Sequence, residues 1–186
     1  MRFLLLALLG VSSCAMAHPG HDQFFHSSLL AGLIHPLTGL DHLTMGLGLG
    51  LLMARTFKQT RFVGFGLLLL SLVGGFAIGM QHIFADQFAE YGIMASLLVL
   101  SVALWQRSNT VFLSMITVLG VFHGMAHGNE LASDVNPVWF MLGMLVSLSS
   151  LYLAGTMAAR FFKQHIRLGE RMAAVLAGVV ALLGLA

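Results

Sequence analysis

His35, Asp41 and His42 fall within the eight residues His35-Pro36-Leu37-Thr38-Gly39-Leu40-Asp41-His42, between stretches that are almost wholly apolar. Imidazole and carboxylate are the donors that suit Ni2+, Co2+ and Zn2+. Residues 35 and 42 are seven apart, about two turns, and share one face if the helix runs unbroken. Asp41 sits beside that face, where it can ligate a cation or hold a ligand histidine in its proper tautomer. A plain alternative is a buried hydrogen-bonded network that fixes helix packing. It is a costly device in a bilayer, where a charged residue at mid-span costs at least about 2.5 kcal/mol on insertion scales.

A second constellation is Phe122-His123-Gly124-Met125-Ala126-His127-Gly128-Asn129-Glu130. His123 and His127 are four apart, so two imidazoles on one helical turn can grip one metal ion. Glu130 follows three residues later on the same side, a hard carboxylate placed to capture a cation at the mouth. Alone, a His-x-x-x-His pair is a weak signal; beside the first motif, in a chain with few polar residues, it is strong. Gly120, Gly124 and Gly128 form two small-xxx-small steps, which predict close approach of a neighbouring helix. A third cluster, His18, Gly20, His21, Asp22 and His26, is read as a metal-capture site, with a solvated tail as its alternative. His82, beside Asp86, either joins the entrance or is a lone interfacial histidine. Met45, Met80, Met115, Met125, Met141 and Met144 are expected to be flexible apolar filler; lining a path, they would favour Cu+.

The elements that carry these residues follow from composition. Of 186 residues, 58% are hydrophobic and 9% charged, with a mean hydropathy of +0.91, against about 25% charged in a soluble domain. So few charges cannot coat a globule or build a nucleic-acid surface, and the chain reads as a polytopic all-α bundle in a bilayer. Residues 1–17 fit a cleaved secretory signal: basic Arg2, an apolar run from Phe3 to Val11 and the small-residue site Ala15-Met16-Ala17. Cleavage there removes Cys14, the only cysteine, leaving 18–186 as one transmembrane domain without thiol chemistry.

About six spans are expected, near 27–54, 62–80, 90–105, 110–127, 137–158 and 171–186. Arg55, Lys58, Arg61, Arg107, Arg160, Lys163, Arg167 and Arg171 then fall on one side, which positive charge marks as cytoplasmic. Asp22, Asp86, Glu90, Glu130 and Asp134 fall on the other. The mature N-terminus is expected in the periplasm of a bacterial inner membrane. Counting the segments before and after Pro36 as two full crossings would reverse every later loop. The segment is therefore read as one long crossing interrupted at Pro36 and Gly39, or as a re-entrant turn followed by a span.

The His35–His42 and Phe122–Glu130 segments, with the signal and the His-Pro-Gly-His start, resemble the HupE/UreJ family of bacterial nickel permeases over nearly the whole chain. The first motif is also similar to the His-x5-Asp-His element of a separate nickel/cobalt transporter family. The resemblance implies a secondary transporter rather than an enzyme, importing Ni2+ or sometimes Co2+ for metalloenzymes and their maturation partners, with no prosthetic group. The expected path runs from His18 and His21 through Glu130, His127 and His123 to His35, Asp41 and His42. No phosphate-binding loop is present, so the electrical gradient is the candidate driving force, worth about 4.6 kcal/mol per 100 mV for a divalent cation. Zn2+ and Cu+ remain alternative ions, and homo-oligomerisation is left open. A membrane metalloenzyme, or an accessory protein or sensor that presents metal, would use the same His/Asp set.

Overall fold

The computed structural model describes residues 28–56, 58–106, 109–165 and 169–184. The expected signal segment, His18 and His21 lie outside them, as do Arg107 and Arg167. Regular structure among the described residues is wholly α-helical: α1 (Ser28–Thr38), α2 (Leu40–Met53), α3 (Lys58–Gly79), α4 (Asp86–Gln106), α5 (Asn109–Asn129), α6 (Pro137–His165) and α7 (Gly169–Gly184). Lys58–Gly79, Gln87–Leu104 and Pro137–Phe161 are each long and apolar enough to cross a bilayer, whereas α1, α2 and Arg171–Leu183 are shorter apolar helices. Phe62, Leu70, Tyr91, Val146, Leu153 and Met157 are all more than half exposed. An exterior this apolar suits hydrocarbon rather than water.

The first crossing breaks at Gly39, whose backbone is extended (φ −92°, ψ 132°) between α1 and α2. The Thr38 hydroxyl donates to the His35 carbonyl at 2.8 Å in the last turn of α1. The Leu43 N–H then donates to the Gly39 carbonyl at 3.0 Å and starts α2. Pro36 stays inside α1, where its missing N–H costs the Gly32 carbonyl its helical partner. At a 1.5 Å rise per residue α1 is about 16 Å long and α2 about 21 Å, so neither alone crosses the roughly 30 Å hydrocarbon core.

Their packing joins them into one crossing. Gly32 of α1 lies against the Phe140 carbonyl of α6, and Gly50 of α2 against the Tyr152 carbonyl further along α6. Gly143 and Gly155 reciprocate, against the carbonyls of Leu29 and Leu47. The two halves thus follow α6 in chain order. Asn136 caps α6, its Oδ1 accepting from the N–H groups of Val138 (3.1 Å) and Trp139 (3.2 Å). The Asn136 N–H donates to Ser28 Oγ at 2.9 Å, tying the starts of α6 and α1 together.

The small-residue stripe of α5 packs on α3. Gly124 and Gly128 face the carbonyls of Leu72 and Phe76, and Gly75 and Gly79 of α3 face those of Val121 and Met125. A Cβ at any of these positions would run into backbone. Helix α4 bridges to α7 through the Ser101 hydroxyl, which donates to the Ala174 carbonyl at 2.7 Å. Met45, Met115, Met125, Met141 and Met144 are buried with Leu49, Leu72, Leu97 and Leu119 in one core, the packing role expected of them; Met80 is exposed.

Candidate metal centre

The two His motifs converge. His35 occupies the last turn of α1, Asp41 and His42 the first turn of α2, and His123 and His127 the end of α5. Asp41 is favoured there because the first-turn N–H groups present partial positive charge to its carboxylate. His42 Nε2 lies 2.7 Å from His127 Nε2, across 85 residues of sequence. His42 Nδ1 lies 3.1 Å from Asp41 Oδ1, and His123 Nε2 lies 3.8 Å from Asp41 Oδ2. The His35 ring stands edge-on to those of His127 (4.5 Å between centroids) and His42 (5.1 Å). The His42 and His123 rings are also edge-on, at 4.6 Å.

A carboxylate can only accept here, so the His42 Nδ1–H donates to Asp41 and leaves Nε2 with its lone pair, which accepts from the His127 Nε2–H. Asp41 is thereby an orienting group for His42, the arrangement in which a carboxylate fixes the tautomer of a ligating imidazole. His123 is fully buried, yet neither ring nitrogen has a hydrogen-bond partner among the described residues, and His35 Nε2 is buried in the same condition. Buried polar atoms are nearly always paired, so such nitrogens call for another kind of partner. Donor atoms of His35, His42 and His127, and separately of Asp41, His42 and His123, lie within 4.8 Å of one another, close enough in each set to hold a metal ion.

Gly39 makes this geometry possible. A Cβ there would sit 2.6 Å from both His42 Nδ1 and Asp41 Oδ1, which fold back over the helix start. The continuous helix that would place His35 and His42 on one face is absent; they meet across the break instead. Phe140 of α6 packs on His35 with ring centroids 5.9 Å apart, and Phe76 of α3 stacks on Phe140 at 6.3 Å.

Glu130 lies one residue beyond α5, exposed and outside these donor groups. His82 is exposed in the loop after α3, at a left-handed φ of 51°, and is likewise not brought to the cluster. Asn129 and Phe140 carry no role in the sequence reading. Asn129 is buried and its amide donates to the Phe84 carbonyl at 3.3 Å, tying the α3–α4 loop to the end of α5. Its position inside the Phe122–Glu130 motif was the available signal; Phe140 had none.

An apolar-surfaced helical protein with a buried His/Asp cluster shared between a broken crossing and a neighbouring helix is the class these features define. The chain belongs to the HupE / UreJ protein family, whose model matches residues 6–186. It is similar to Protein HupE of Rhizobium leguminosarum bv. viciae, with 29% identity over 185 residues, covering 97% of this chain and 93% of that protein. No solved structure matches it.

Proposed function

We propose that this chain is a secondary transporter importing a divalent transition-metal ion, Ni2+ first among the candidates, from the periplasm to the cytoplasm. The single observation that carries the reading is the convergence of His35, Asp41 and His42 with His123 and His127 in one buried cluster containing unpartnered imidazole nitrogens. Neutral imidazoles with one carboxylate bind Ni2+, Co2+ and Zn2+ in preference to hard cations, and their number offsets dehydration inside a low-dielectric bundle. The residues fit such a cargo ion: each donor set combines His42 with two further side chains. Helix packing alone would be served by apolar residues at these positions.

In this reading residues 1–17 are removed as a signal, residues 18–186 form one permease domain in a bacterial inner membrane, and the mature N-terminus is periplasmic. His18, His21 and Glu130 serve as the outer capture groups. A metallochaperone or metalloenzyme maturation system receives the ion. The test is uptake of radiolabelled Ni2+ into proteoliposomes holding the purified chain under an inside-negative potential, with Co2+, Zn2+ and Cu+ as competitors. Time-dependent accumulation, reduced most by the ions of closest coordination chemistry, is the expected outcome. Failure to accumulate any of them would sink the permease reading.

A further inference from the structure

We propose that the cluster holds one transition-metal ion in either of two adjoining positions, built on the two nitrogens of His42, and that an ion in transit passes from one to the other. This deepens the permease reading and rests on it for the direction of travel. The first position is His35, His42 and His127; the second is Asp41, His42 and His123. His42 is the one residue common to both sets. Its ring faces two ways, Nε2 toward His127 at 2.7 Å and Nδ1 toward Asp41 at 3.1 Å. Each set also contains a buried imidazole nitrogen without a hydrogen-bond partner among the described residues, His35 Nε2 in the first and His123 Nε2 in the second.

A neutral imidazole has one nitrogen lone pair to offer. With the His42 proton on Nδ1, donated to Asp41, the Nε2 lone pair is the one it can offer, and the first position is available once the His127 proton lies on that ring's Nδ1, which frees the His127 Nε2 as well. With the proton moved to Nε2, on the His127 side, Nδ1 is free and the second is available. The positions are therefore alternatives for a single ion rather than a two-metal site. His127 lies four residues nearer the Asn129 end of α5 than His123, about 6 Å along the axis, so an ion entering from that end meets the first position first. The second position offers a carboxylate in place of one imidazole, and its negative charge draws a divalent cation inward.

The experiment uses the full chain purified in detergent and titrated with Co2+ alone, reading visible absorption and the number of ions bound. Wild type binds one Co2+ per chain beyond what His42→Ala retains, so that any ion held by the outer capture groups His18, His21 and Glu130 is subtracted. His35→Ala and His127→Ala each keep one ion and share a spectrum of mixed nitrogen and oxygen ligation. Asp41→Ala and His123→Ala also keep one ion, and share a different, all-imidazole spectrum. His42→Ala loses the cluster's ion and its spectrum. Two variants stand for each position, so a chain that elutes as aggregate is replaced by its pair. Any other pattern overturns the proposal, including two cluster ions per wild-type chain, one spectrum for all four variants, or loss of the cluster ion by all four. Uptake is scored separately: sorted spectra without Ni2+ uptake keep the two positions and remove the permease reading, while uptake with unsorted spectra does the reverse.

Discussion

Helix α5 is joined to its neighbours in two opposite ways. Against α3 it presents glycines, so that backbone lies on backbone and no polar side chain is needed. Toward the broken α1–α2 crossing it presents His123 and His127, and the helices meet through imidazoles and a carboxylate rather than a glycine seam. The same division separates α6, which grips α1 and α2 through Gly143 and Gly155. The seams are built for van der Waals contact, which is how helices associate where no hydrophobic driving force acts between them. The cluster is built for something else, because polar groups between helices are better replaced by apolar ones when packing is the only task. One helix thus carries a structural stripe and a chemical stripe, a few residues apart.

That contrast predicts that the two stripes fail differently. Replacing His42 with Ala should abolish metal uptake and binding at the cluster while leaving insertion and yield near wild type, as judged by membrane fractionation beside an uptake assay; His35→Ala, Asp41→Ala and His123→Ala should each abolish uptake too. Near-normal transport by all four would show that the path lies elsewhere. Gly124→Ala should do the reverse of His42→Ala, destabilising the fold by about 1–3 kcal/mol through collision with the Leu72 carbonyl, read as a lower melting temperature in detergent. Gly39→Ala sits between the two classes: its Cβ displaces His42 Nδ1 and Asp41 Oδ1 but meets no backbone of another helix, so metal affinity should fall with little change in melting temperature. The smallest effect belongs to Glu130→Gln, which should raise the half-saturating Ni2+ concentration and spare the maximal rate. A change in maximal rate instead would move Glu130 from the mouth into the path.

Much of this is legible in the sequence. Asp41, a carboxylate between two histidines inside an apolar run, marks the site because a charge at that depth needs a reason. Counting basic loops fixed the first segment as one interrupted crossing, and α1 and α2 do follow α6 in order. The glycine steps at 120, 124 and 128 announced a close neighbour, though not that α3 meets them with Gly75 and Gly79. What could not be read was the meeting of the two motifs, since it depends on how α2 and α5 are held by third parties, α6 and α3. Nor could spacing reveal that His35 and His42 approach across a break rather than along one face, or that Gly39 is small to admit Asp41 and His42. Phe140 was invisible because an aromatic in an apolar helix carries no distinguishing signal.

The central claim is that two motifs distant in sequence form one site for a transition-metal ion. X-ray absorption at the nickel edge, on the purified chain loaded with one equivalent of Ni2+, tests it most directly. The account predicts outer-shell scattering from several imidazole rings, no sulfur in the first shell, and loss of most of the imidazole signal in His42→Ala. A hydrated ion, or one ligated by methionine sulfur, would contradict it.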